Sequence, residues 1–279
     1  MPTVPSITLR DGNTIPQLGL GVWQVDPGIT AQVVTDAIEA GYRSVDTAEG
    51  YHNEEGVGEA IKRASVPRGE LFIASKLRNG GHARDQALSS FDKTMKALGL
   101  EQLDLFLIHW PVPSQGKYVE AWKALIELKG QGRIRSIGVS NFNQDHIERI
   151  IAETGEVPAV NQIELHPYFQ ARDRLAYNLA HEIHIEAYSP LGSGSVLDDR
   201  TVAEIASKHG KSAAQVLIRW HLQQGFIVIP KSTHKARMVE NIDVFDFELD
   251  DDDMKRIDGL ERGERGRTGS NPATASFLF

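Results

Sequence analysis

The 279-residue chain contains no cysteine, which excludes disulfides, thiolate metal sites and cysteine nucleophiles. Basic side chains are also short: 30 Lys and Arg stand against 38 Asp and Glu, a formal net charge of −8. Dedicated nucleic-acid and anionic-membrane binders carry the opposite balance, although a local basic pocket for one phosphate is not excluded. No apolar run approaches the roughly 18 residues of a membrane span. The stretch Met1 to Pro5 lacks the basic and then apolar pattern of an export signal. These absences lead us to expect a cytoplasmic, soluble protein that meets a small molecule rather than nucleic acid or membrane. What is present, 41% hydrophobic and 24% charged residues, excludes a disordered chain. Its length fits two domains or one α/β barrel, a fold that often reaches roughly 250 residues.

Short apolar runs alternate with amphipathic stretches. Strands are expected near 19–22, 42–46, 71–75, 103–108, 134–139, 159–163, 183–188 and 226–229. They are too short for core helices and lack simple alternation, as strands of a parallel sheet covered on both faces do. Ala87, Phe91, Met95 and Leu98, like Val57, Ala60, Ile61 and Ala64, recur at helical spacing. Gly99, Gly130 or Gly132, Gly155, Gly210 and Gly225 fall where such helices should stop. Eight strands with intervening helices predict a closed (β/α)8 barrel as a single domain over 1–279. An open doubly wound sheet is the alternative. Asp11-Gly12-Asn13, flanked by Ile7 and Ile15, marks an N-terminal hairpin over 6–16, placed to plug the barrel bottom. Asp250 to Asp253 reads as the first turn of a helix. The tail, 263–279, is polar but ends in Phe277-Leu278-Phe279. It reads equally as a frayed terminus and as a segment folded back over the active-site face.

Polar residues punctuate the C-terminal ends of successive strands: Asp46, Lys76, His109, Ser140-Asn141, Gln162, Tyr188-Ser189 and Lys231-Ser232. In a (β/α)8 barrel these ends converge on the rim where sites are built. The surrounding motifs carry a family resemblance. Gly41-Tyr42-Arg43-Ser44-Val45-Asp46-Thr47-Ala48, continuing through Tyr51, Asn53, Glu54 and Gly58, resembles the first signature of the aldo-keto reductases. Ile229-Pro230-Lys231-Ser232 with Arg237, Glu240 and Asn241 resembles their cofactor-phosphate signature. Ser75-Lys76-Leu77, Ile108-His109-Trp110-Pro111, Gly138 to Phe142 and Asn161 to Pro167 match between them, in order. The resemblance spans about 6–245 and is strongest to the bacterial 2,5-diketogluconate reductase branch. It implies a monomeric (β/α)8 reductase that uses NADPH without metal or flavin.

Carbonyl reduction by a nicotinamide needs a proton donor within reach of the developing alkoxide. Tyr51 is the candidate acid. Its phenol, near pKa ~10, is a sluggish donor that a neighbouring cation would sharpen. Lys76 supplies that cation, Asp46 the carboxylate a buried lysine requires, and a neutral His109 a hydrogen bond to the carbonyl oxygen. The resemblance assigns the same four positions to catalysis. Ser140, Asn141 and Gln162 have the groups to hold a carboxamide, and Tyr188 a ring on which the nicotinamide can stack. Ser189 and Leu191 complete that end of the cofactor site. Lys231, Ser232 and Arg237 suit a 2′-phosphate, with Thr233 and Asn241 adding hydrogen bonds and Glu240 beside the adenine. The expected preference is therefore for NADPH over NADH.

Trp23 and Trp110 are candidates for the substrate pocket wall. Where the family commonly has Trp after Lys76-Leu77, this chain has Arg78, a cation suited to anionic or polyhydroxylated substrates or to solvent. Gly19-Leu20-Gly21 and Gly192-Ser193-Gly194 both fail to complete the GxGxxG fingerprint, which counts against the open dinucleotide-binding sheet. Two rival functions stand beside the reductase. A metal-dependent barrel hydrolase would need paired histidine ligands, and His181-Glu182-Ile183-His184 lacks HExxH spacing. A nicotinamide-binding sensor without turnover would have no evident need for the acid.

Overall fold

A computed structural model describes residues 3–279. Ser6–Thr8 (β1) and Thr14–Pro16 (β2) pair antiparallel, with Ile7 opposite Ile15. Eight parallel strands follow: Leu20–Gly21 (β3), Ser44–Asp46 (β4), Phe72–Leu77 (β5), Leu103–Ile108 (β6), Ile134–Ser140 (β7), Val160–Glu164 (β8), His184–Tyr188 (β9) and Ile227–Val228 (β10). They lie side by side in chain order. Leu18 bridges in parallel to Val228, the Gly19 amide donates to the Val228 carbonyl at 2.9 Å and the Gly21 amide to the Pro230 carbonyl at 3.2 Å. The first strand thus meets the last, and the sheet closes into the expected barrel.

Helices fill the connections and follow the last strand: Pro27–Ala40 (α1), Glu54–Arg63 (α2), Arg84–Leu98 (α3), Tyr118–Gly130 (α4), Gln144–Thr154 (α5), Arg172–Ala180 (α6), Arg200–His209 (α7), Ala213–Gln223 (α8), Lys235–Ile242 (α9) and Asp251–Asp258 (α10). Gly99, Gly155 and Gly210 end α3, α5 and α7 in the left-handed conformation. The acidic run opens α10, where Asp250 and Asp253 form a reciprocal capping box.

Strand residues alternate in direction, as barrel strands must. Phe72, Ala74, Leu105, Leu107, Val160 and Ile227 form the interior cluster. Ile73, Phe106, Ile108, Ile137 and Val139 face the helices, beside Phe91 and Val33. Ile15 of the hairpin is fully buried within the interior cluster, so the hairpin does floor the barrel. The alternation missed in the sequence is real. It was hidden because inward positions near the floor are apolar and those near the rim are polar. Asp46, Lys76, Ser140, Gln162, Glu164, Glu186 and Tyr188 share the inward phase of their strands.

Candidate active site

Asp46 closes β4 and Lys76 is the penultimate residue of β5, one strand over. Lys76 Nζ lies 2.5 Å from Asp46 Oδ1 and donates to the Thr47 carbonyl at 2.9 Å and the Tyr51 hydroxyl at 3.3 Å. Three acceptors thus take the three ammonium hydrogens of a lysine side chain with no solvent exposure. Burial pulls the Lys76 pKa down, but the charges of Asp46 and Tyr51 outweigh it and the net displacement is upward. The ammonium stays charged.

Tyr51 ends a 3-10 turn, Glu49–Tyr51, and the buried Asn53 pins this loop. Its Oδ1 accepts from Thr47 Oγ1 at 2.8 Å, and its Nδ2 donates to the carbonyls of Val22 at 2.9 Å and Val25 at 3.3 Å. Glu54 accepts from Ser75 Oγ and Thr94 Oγ1 behind β5, and burial pushes its carboxyl up to about 7. Gly58 lets α2 lie against the end of α3, because a Cβ there would stand 2.5 Å from the Leu98 carbonyl oxygen. The motif residues around Tyr51 therefore locate the phenol. For the phenol itself, burial raises the pKa more than Lys76 lowers it. The sharpening expected from the cation is present, but desolvation exceeds it, and Tyr51 remains a protonated donor at neutral pH.

His109 follows β6, its ring edge-on to Tyr51 with centroids 5.5 Å apart. Burial, reinforced by the Lys76 charge, holds its pKa well below the ordinary imidazole value, so the ring is neutral. Its Nδ1 is buried without a hydrogen-bond partner among the described residues. Next around the rim, Asn141 Nδ2 donates to the His109 carbonyl and to Ser140 Oγ, both at 3.0 Å, and Ser140 Oγ donates to the Gln162 carbonyl at 3.0 Å. The Tyr188 hydroxyl donates to Asn141 Oδ1 at 2.8 Å. Asn141 and Ser189 have positive φ, 62° and 48°, and each turns the chain out of its strand.

The far end of the rim is looser. Lys231 and Arg237 are exposed, and neither pairs with a carboxylate among the described residues. Ser232 Oγ accepts from the His234 amide at 3.1 Å. Thr233 and Leu191 are half-buried. Met238, Asn241 and Ile242 form the buried side of α9. Glu240 instead accepts from the hydroxyl of Ser212.

Trp23 is half exposed and Trp110 buried. Arg78 Nε lies 3.4 Å from Glu49 Oε1, so its charge is answered within the protein. The tail folds back: the Phe277 ring meets Trp110 and the Phe279 ring meets His109, each edge-on at 5.1 Å, and the two phenylalanines stack. Glu164, buried at the end of β8, anchors it. Its carboxylate accepts from the Thr268 amide at 2.5 Å, from Thr268 Oγ1 at 2.8 Å and from the Gly269 amide at 2.9 Å. Glu164 and Glu186 were passed over in the sequence. The available signal was a carboxylate inside each of two otherwise buried strands.

A family model described as the aldo/keto reductase family matches residues 16–262. An aldo-keto reductase of Mycolicibacterium smegmatis is 51% identical over 98% of both chains. Methylglyoxal reductase DkgA of Escherichia coli is 50% identical over 95% of each. Among solved structures, apo Gox0644 superposes with a TM-score of 0.95 at 51% identity, covering 99% of this chain and 100% of that one. A variant of Gox0644 was solved in complex with NADPH. Fold, rim and relatives together define a (β/α)8-barrel oxidoreductase. More particularly, the chain belongs to the aldo/keto reductase family.

Proposed function

We propose that the protein reduces small aldehydes and ketones to alcohols with NADPH, Tyr51 acting as the general acid, and that residues 1–279 work as one barrel unit. The observation that carries this reading is the buried line from Asp46 through Lys76 to the Tyr51 hydroxyl, with a neutral His109 beside it. NADPH, when bound, supplies the hydride. The remaining work falls to the chain. Tyr51 gives its proton to the carbonyl oxygen as negative charge develops there. Lys76 stabilises the phenolate left behind, and Asp46 keeps Lys76 charged in a desolvated site. His109 donates a hydrogen bond that orients the carbonyl.

The donor set along the rim suits the cofactor. Ser140, Asn141 and Gln162 offer amide and hydroxyl groups to the carboxamide, and Tyr188 offers its ring, with Ser189 and Leu191 alongside. Lys231 and Arg237, without carboxylate partners among the described residues, form a phosphate-binding group with Ser232 and Thr233, flanked by Glu240 and Asn241. Trp23, Trp110 and Arg78 border the substrate. The name of the Escherichia coli relative makes α-dicarbonyls such as methylglyoxal the first substrates to try.

The test follows NADPH absorbance with methylglyoxal, keto-sugars and simple aldehydes. Tyr51→Phe should lower kcat/KM about 10²- to 10⁴-fold, the usual share of a general acid, while NADPH still quenches protein fluorescence. Near-wild-type turnover by folded Tyr51→Phe would overturn the assignment.

A further inference from the structure

Glu186 lies on β9, directly across from Gln162 on β8 and Ile227 on β10, and its side chain is buried inside the barrel mouth. Gln162 Nε2 donates to Glu186 Oε2 at 2.8 Å and to Asp46 Oδ2 at 2.9 Å. Asp46 receives Lys76, and Lys76 reaches Tyr51. Five side chains from four strands and one turn thus form a continuous chain of contacts ending at the phenol. Asp46, ionised against Lys76, demands an N–H donor, which fixes the nitrogen of Gln162 inward. That nitrogen carries a second hydrogen, and Glu186 supplies its acceptor. Among the described residues no donor bonds to the Gln162 amide oxygen, which leaves it free for a carboxamide N–H.

We propose that Glu186 is a positioning residue of the reduction: it fixes the orientation of the Gln162 amide and, in its neutral form, keeps the buried cluster free of net charge. The inference rests on the reductase reading above. The charged groups facing Glu186 are Asp46 from β4 and Lys76 from β5; β8 contributes the neutral Gln162 and β10 the apolar Ile227. With Glu186 neutral, Asp46 and Lys76 balance. Ionised Glu186 would add an uncompensated negative charge that opposes loss of the Tyr51 proton. Burial, then the Asp46 charge, pushes the carboxyl up to about 8, so the neutral form prevails at pH 7.

The experiment compares wild type, Glu186→Leu and Glu186→Gln in three measurements: the kcat/KM pH profile, the NADPH Kd by fluorescence, and Tm against pH. Glu186→Leu strands an amide hydrogen, and should weaken NADPH binding about tenfold and lower kcat/KM at least as much. Glu186→Gln keeps the acceptor, should recover most of the loss, and should abolish the decline of kcat/KM as pH rises through about 8. A folded-state pKa raised above the unfolded value means the native state holds the proton longer. Wild-type stability should therefore fall, relative to Glu186→Gln, from about pH 4.5 to about 8 and then level off. Wild-type NADPH affinity in Glu186→Leu, or an unchanged alkaline decline in Glu186→Gln, would overturn the proposal. If wild type itself reduces no carbonyl, the reductase reading fails, while the Tm and Kd series still decide the role of Glu186.

Discussion

At the reaction end of the rim, Lys76 has no exposure, its three hydrogens are committed, and each neighbour is fixed by another: Asn53 holds the Tyr51 loop, and Gln162 holds Asp46. At the other end Lys231 and Arg237 stand in solvent without partners among the described residues. The difference matches the two tasks proposed for them. Proton transfer needs groups held within a few tenths of an ångström in a low-dielectric setting, where a charge shifts a neighbour's pKa. Grasping a phosphate needs cations that are free to pair, and flexible ones suffice. In the proposed reading one end carries out chemistry, and the other supplies affinity.

The contrast is broken most severely at Lys76. Lys76→Met leaves Asp46 buried without its cation, and disrupting such a pair costs about 3–5 kcal/mol. Urea denaturation should register that loss, and kcat should fall by about 10³-fold or more, since Tyr51 loses its stabilising charge. Unchanged stability would show that the pair is less committed than its geometry implies. Arg237→Ala should act only on affinity, weakening NADPH about tenfold, leaving NADH binding and kcat nearly untouched, and flattening the salt dependence of NADPH binding. Equal losses for both cofactors would mean that the far end does not read the phosphate.

The smallest effect concerns the tail, which connects to the reaction end through Phe279. Burial works against the Glu164 carboxylate, but hydrogen bonds from His166, Thr268 and Gly269 hold it down to about 2. A pKa lowered on folding gives stability that is present above about 4.5 and lost as pH falls toward 2. The protection of amides in 263–279, relative to their intrinsic exchange rate at each pH, should therefore fall over that range in wild type. In Glu164→Gln it should be low already at neutral pH, with KM altered several-fold. A tail equally protected in that variant would show that the aromatic contacts alone hold it.

The barrel was legible because strand and helix periodicities are local: Leu103 to Ile108 reads as a buried strand, and Gly99 stops the helix before it. Asp46, Lys76 and His109 stood out as polar residues at strand ends, and Tyr51, in the turn after β4, stood out only through the motif around it. Glu186 and Glu164 did not, because a carboxylate in a strand of mixed polar and apolar residues has no meaning until its inward phase and its partners are known. Gln162 is 116 residues from Asp46 and Thr268 is 104 from Glu164.

The amino-acid order by itself determined which segments become strands, where helices end, and which residue types crowd one rim, since hydrophobic period and backbone preference act between near neighbours. Closure of the sheet, the pairing of Asp46 with Lys76, the balance that keeps Tyr51 protonated and the return of Phe279 to His109 were decided only in three dimensions. Burial and Coulomb interaction depend on distances through space, and those distances exist only once the barrel has closed.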